Sequence, residues 1–290
     1  PSSGKWNDIT SKSASPWKPG TGSIYNHGGT TYHDGSLLVG GNENKNSDQL
    51  NPESTTWIWN KDDTKWKQVS NVVSPASRDY HAIASLEGGR AVMFGGRIDD
   101  AQDGSDTLIF DSDLGGLGHG GWSVPKALQG DPPARGFHAM ATLRLDYVIM
   151  FGGQTTSQTP GKPAQSDDDT WLFDGSTNAW TEWIVGTSGM RGAVPPARWC
   201  LGMASLGDAK CVVMFGGFTG VSGTPPNKNL QDTWLFDTTN GWVLHPTKGI
   251  VPDARMAHAM ATLREGTVVM SGGWTGINSN VEFSDLWRFT

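Results

Sequence analysis

The side chains with the widest chemical reach in this sequence recur in a fixed pattern. Arg78, Arg135, Arg198 and Arg255 each stand three residues before a ring position, held by His81, His138, Leu201 and His258. His27 takes that place in a first copy, which has Ile24 instead of arginine. Imidazoles gathered on one axis could ligate a metal or pass protons. Guanidinium groups could grip a carboxylate at two points. A structural reading competes. In it, an Arg–Asp pair built with Asp106, Asp169, Asp232 or Asp285 ties neighbouring repeats, and each histidine bonds a nearby backbone group. No thiol or carboxylate cluster accompanies the histidines, so neither a metal nor a cofactor is expected.

Other reactive groups are scattered. Carboxylates crowd two segments: Asp99, Asp100, Asp103 and Asp106, then Asp167, Asp168 and Asp169. Hard oxygen donors suit calcium, but the spacing fits no EF-hand loop and a solvated acidic loop accounts for them. There is no nucleophile elbow, phosphate-cradling loop or zinc spacing, so catalysis has no motif behind it. Cys200 and Cys211 read as lying on adjacent strands in a register that does not oppose them, so two thiols are expected rather than a disulfide.

The elements that must position these groups are short. The 290 residues include 39 glycines and 14 tryptophans with only 18 % charged residues, a mixture suited to strands and tight turns rather than long helices. A net charge of −7 argues against a nucleic-acid partner, which needs a basic face. No run of about 18 apolar residues offers a membrane span. The sequence opens on Pro1 and reads as trimmed. It has no glycosylation sequon and two thiols, which tilts the open question of compartment towards the cytoplasm.

Internal repetition organises the whole chain. A diglycine recurs at Gly40, Gly95, Gly152, Gly216 and Gly272, each closing an apolar run: SLLVGG, RAVMFGG, YVIMFGG, CVVMFGG and TVVMSGG. Before four of them lies a strand of small residues alternating with larger apolar ones: SRDYHAIASL, ARGFHAMATL, ARWCLGMASL and ARMAHAMATL. After each comes a third strand (TTWIWN, DTLIFD, DTWLFD, DTWLFD, SDLWRF). A fourth follows in the first four repeats, marked by Trp66, Trp122, Trp180 and Trp242. The fifth repeat stops after its third strand, whereas residues 5–10 (KWNDIT) read as a fourth strand without a repeat in front. Pairing those two segments would remove two open sheet edges.

This set of features resembles the kelch repeat family, and the resemblance covers nearly the whole chain. It rests on the apolar run before each diglycine, the Pro-x-Arg-x-x-His lead-in seen at Pro133, Arg135 and His138, the DTWLFD strand and the spaced tryptophan. It implies an all-β, five-bladed propeller of four-stranded antiparallel blades, closed by residues 5–10. It forms one domain over 1–290, with blades near 20–70, 75–126, 132–185, 195–246, and 252–290 plus 4–10. Kelch propellers more often have six or seven blades, and a truncated sixth is the alternative. The copper-oxidase and iron-specifier motifs of kelch relatives have no counterpart in this sequence.

In propellers of this kind the ligand face carries the loops after the diglycines. The residues that open those loops are Asn42, Arg97, Gln154, Phe218 and Trp274, a mixture of aromatic, amide and cationic groups. With Arg78, Arg135, Arg198 and Arg255 they form the candidate ligand site, for a protein or peptide partner bound by a monomer. Two alternatives stay open. One is a sugar-active epimerase or lyase using Arg and His; the other is a lectin-like binder with Phe218 and Trp274 as platforms.

Overall fold

Each apolar run that ends in a diglycine becomes the second strand of a sheet, buried on both faces in blades two to four. In the computed structural model the described residues are 24–25, 27–32, 35–43, 54–60, 66–69, 73–99, 102–114, 120–125, 130–144, 146–155, 164–187, 189–221, 224–246, 249–263, 266–275 and 281–290. Blade one has strands Gly28–Tyr32, Gly35–Val39, Thr56–Trp59 and Lys67–Gln68. Blade two has Ala82–Ser85, Arg90–Phe94, Thr107–Asp111 and Gly121–Ser123. Blade three has Ala139–Leu143, Tyr147–Phe151, Thr170–Asp174 and Ala179–Glu182. Blade four has Gly202–Leu206, Cys211–Phe215, Thr233–Asp237 and Gly241–His245. Blade five shows Ala259–Thr262, Val268–Ser271 and Leu286–Phe289 among the described residues. All pair antiparallel, and the molecule is a five-bladed β-propeller. The closing strand expected at residues 5–10 lies outside the described residues.

Alternation along the second strand explains why a blade needs two neighbours. In Tyr147–Phe151, Val148 and Met150 join the core shared with blade two, while Ile149 and Phe151 join the core shared with blade four. A tryptophan from the outer strand locks each seam. Trp122, Trp180 and Trp242 donate their indole N–H to Thr56, Thr107 and Thr170 of the preceding blade, each at 2.9 Å. Trp180 stands between Phe94, which it meets edge-on, and Phe173, to which it is tilted, with ring centres 5.4 and 5.0 Å away. Trp242 repeats this between Phe151 and Phe236. Burial of one such ring contributes about 4–6 kcal/mol before entropy is counted.

The inner strands are stitched as well. The Thr142 hydroxyl donates to the Ser85 carbonyl, Ser205 to Thr142 and Thr262 to Ser205, at 2.6–2.8 Å. On the diglycine side, Gly41, Gly96, Gly153 and Gly217 donate to the carbonyls of Arg78, Arg135, Arg198 and Arg255 in the next blade. A Cβ on Gly96 or Gly153 would meet the Asp79 or Gly136 carbonyl of its own blade's lead-in at 2.7–2.9 Å, and both residues lie at positive φ, so the second glycine is required twice over.

The Arg–Asp pairs form, but inside repeats rather than between them. Arg78 grips Asp106, Arg135 Asp169, Arg198 Asp232 and Arg255 Asp285, each through both terminal nitrogens. The same guanidinium also donates to the carbonyl of the first diglycine residue of its own blade. It therefore staples the second loop of a blade to its third strand, and the tie between blades falls to the backbone bonds above. Where the third strand reads Asp-x-Trp, the indole of Trp171, Trp234 or Trp287 gives the same carboxylate a 2.6 Å bond. Hydrogen bonds from Arg255 push Asp285 down to about 2.

Candidate functional site

Between each arginine and its ring position lie two residues that the repeat does not fix. They are Asp79 and Tyr80, Gly136 and Phe137, Trp199 and Cys200, and Met256 and Ala257. The second of each pair adopts left-handed backbone, with φ of 54° at Tyr80, 61° at Phe137, 51° at Cys200 and 55° at Ala257. Non-glycine residues avoid that region. Here it is held by a spiral of backbone bonds: Phe137 N–H donates to Tyr80 O, Cys200 to Phe137 O and Ala257 to Cys200 O, at 2.9–3.0 Å. The turn carries these four side chains off the buried lead-in towards the axis of the ring. Sequence reading missed them. The signal available was their variety inside an otherwise constant motif.

All five blades meet there in a cavity of about 510 Å³. Its floor is the ring position: His27, His81, His138, Leu201 and His258. The rest of its lining is Tyr80, Phe137, Trp199 and Trp274 with the smaller Cys200, Met256 and Ala257. Tyr80 and Phe137 stack with ring centres 3.8 Å apart, and Phe137 meets Trp199 edge-on at 5.4 Å. The Arg97 guanidinium caps this arc, 4.9 Å from the Phe137 ring centre and 5.9 Å from that of Tyr80. Asp103 lies 3.7 Å from its Nε.

The loop residues singled out from the sequence fall beside the lead-ins through backbone bridges of Asp79 with Arg97, Gly136 with Gln154, Trp199 with Phe218 and Met256 with Trp274. Their side chains part company. Trp274 lines the cavity and Arg97 sits on its aromatic wall. Gln154 is buried, and Phe218 is 3 % exposed behind Trp199, where it packs rather than presents a face. Asn42 pairs through its backbone with Tyr25, and its side chain is outside the described set. Arg78, Arg135, Arg198 and Arg255 are at most 1 % exposed, lie off the cavity lining and spend their donors on the scaffold.

Burial, reinforced by the neighbouring arginine, lowers His81 to about 3, His258 to about 4 and His138 well below its ordinary value. The backbone of Val39, Phe94 or Phe215 in the preceding blade works the other way, while neither ring nitrogen of these three histidines completes a hydrogen bond. These imidazoles are neutral at physiological pH. His81 lies against Gly28 and His258 against Gly202, where an added Cβ would collide with Nε2. Cys200 and Cys211 are free thiols, and burial pushes Cys200 up to about 12. Among the described residues no three His, Cys, Asp or Glu side chains gather as a metal site. Asp167, raised by burial to about 6, bonds Thr155 and stands outside the cavity lining. Among the described residues the mouth thus offers shape, aromatic surface and the Arg97 cation.

Comparison with known proteins agrees with this architecture. The model of the KLHDC2/KLHL20/DRC7 Kelch-repeats domain matches residues 26–189 and again 117–290. The chain is 26 % identical over 256 residues to acyl-CoA-binding domain-containing protein 5 of Arabidopsis thaliana, covering 86 % of this chain and 36 % of that protein. It is 28 % identical over 219 residues to Adagio-like protein 1 of Oryza sativa subsp. japonica, covering 73 % and 33 %. It spans about a third of the length of these curated relatives. The solved structure of YjhT superposes with a TM-score of 0.66 at 14 % identity, over 92 % of this chain and 81 % of that one, a likeness of fold.

Proposed function

This chain belongs to the Kelch-repeat domain family, and from that premise we propose that its channel mouth binds a protein or peptide partner. Kelch propellers in general serve protein interaction. One observation carries the assignment of the face. The left-handed turn in four consecutive lead-ins projects a different side chain from each blade, beside Arg97, onto a frame that backbone bonds hold still. Rigid aromatic and arginine groups around a partly enclosed hollow are what binding hot spots are made of. The Tyr80–Phe137–Trp199 wall supplies apolar contact. No described helix is long and apolar enough to cross a membrane.

The acid–base roles that an epimerase or lyase would need are poorly served, because the lining imidazoles are held neutral and the repeated arginines are committed to carboxylates. The sugar-platform reading loses Phe218 to the packing behind Trp199. Selection of a displayed random-peptide library on the wild-type domain tests the proposal. Selected peptides should lose at least about tenfold in affinity for Arg97→Ala/Phe137→Ala and keep it for Lys210→Ala. Equal binding by the mouth variant, or capture of glycans instead of peptides on an array, would overturn it.

A further inference from the structure

Among the described residues that line the mouth cavity there is no aspartate, glutamate, lysine or arginine. The imidazoles of His81, His138 and His258 are held neutral, and their ring nitrogens are buried below the surface. Arg97 stands off the lining. Its charge is met by Asp103, whose side chain is 1 % exposed, and by the faces of Phe137 and Tyr80. A charged group drawn into this hollow would shed its water and find no opposite charge on the lining, which disfavours it. What the cavity offers instead is ring surface. Tyr80, Phe137 and Trp274 are partly exposed there, while Trp199 is buried. Phe137 and Trp274 both pack on the cluster of Trp199, Phe218 and Met256, so the rings hold one another in place. The indoles of Trp180, Trp199 and Trp242 spend their N–H on the scaffold. That of Trp274 makes no bond with a described residue.

From this we infer that the mouth takes an uncharged aromatic side chain of the partner, its ring laid against Tyr80, Phe137 and Trp274 above the histidine floor, an anchor that presupposes the peptide-binding reading above. Space allows it. The cavity of about 510 Å³ falls in the range that seats small ligands, roughly 300–1,000 Å³, so one indole or phenol with its backbone fits. An aromatic ring gains here in two ways. It buries area, and it adds the edge-on and offset contacts that the wall rings already make with each other. A carboxylate or an ammonium in the same place gains neither. Because the wall is already packed, little side-chain freedom is lost when the new ring arrives. The Trp274 N–H is then placed to donate to a carbonyl of the incoming chain.

Titration of the ¹⁵N-labelled 290-residue chain with N-acetyl amides of single amino acids reads the anchor directly. The tryptophan amide, at millimolar concentration, should shift the Trp274 indole N–H signal, which Trp274→Phe identifies by deleting it. The aspartate and lysine amides at the same concentration should leave that signal in place. Phe137→Ala should weaken the tryptophan amide at least about fivefold, and Lys210→Ala should not. In peptides selected on the wild-type domain, alanine replacement of a Trp, Tyr or Phe should cost the most affinity, at least about tenfold. A Trp274 signal indifferent to the tryptophan amide, or moved as far by a charged amide, would overturn the anchor. So would selected peptides whose costliest position is charged, although peptide binding itself would stand. A Trp274 shift with the tryptophan amide and no peptide recovered would uphold the aromatic site and defeat the peptide reading.

Discussion

Each lead-in segment holds two residues, two positions apart, with opposite habits. Arg78, Arg135, Arg198 and Arg255 recur in four of the five copies, buried and paired with an aspartate of their own blade. Tyr80, Phe137, Cys200 and Ala257 share a backbone angle and a bond pattern but no side chain. The repeat fixes what the ring needs for assembly, and it frees what the mouth shows to the proposed ligand. Uniform charge marks the frame, and varied chemistry on a uniform backbone marks the proposed site.

The widest break in that comparison should come from the frame. Arg198→Ala leaves the Gly216 carbonyl without its side-chain donor and Asp232 without its cation, holding only the Trp234 indole, and loss of one partner of a buried pair costs about 3–5 kcal/mol. Urea unfolding should show that loss, and Arg198→Lys should recover only part of it, because an ammonium cannot make the two-point bond. Peptide affinity of the protein that remains folded should be unchanged. A seam bolt comes next: Thr170→Val removes the acceptor of the buried Trp242 indole and should cost about 1–3 kcal/mol.

Acid sharpens the same contrast. In the unfolded chain a histidine takes up its proton near pH 6.5, while His81 and His258 resist until about 3 and 4. Below pH 6.5 the unfolded state binds more protons. Stability present above pH 6.5 is therefore lost as the pH falls, by up to about 1.4 kcal/mol per unit for each such histidine. Asp167 works in the opposite sense between about 6 and 3.8, where the folded form holds the proton. His138→Leu, which copies Leu201 in the same repeat place, should flatten the fall of Tm between pH 6.5 and 4. The smallest effect belongs to the mouth: Ala257→Gly relieves the left-handed angle and should add about 0.5–1 kcal/mol by urea titration.

The blades, their strand order and the Arg–Asp chemistry could be read directly from the sequence, because turn glycines and apolar runs repeat in register. The pairing partner could not: Asp106 and its equivalents recur at a spacing that fits either the same repeat or the next, and only the fold brings Arg78 to Asp106 in its own blade. Phe218 and Trp274 read alike as loop aromatics, yet Trp199 covers one and the cavity receives the other. The wall residues escaped because a left-handed turn is enforced by bonds between blades, Phe137 to Tyr80 for example, which no local pattern encodes.

Hydrogen exchange on the domain saturated with a selected peptide tests the central claim most directly. The account predicts slowed exchange at residues 79–81, 136–138 and 199–201, around the aromatic wall, with the far-side hairpins at 86–90 and 207–211 unchanged. Protection confined to those hairpins or to the outer strands, with the wall untouched, would contradict it.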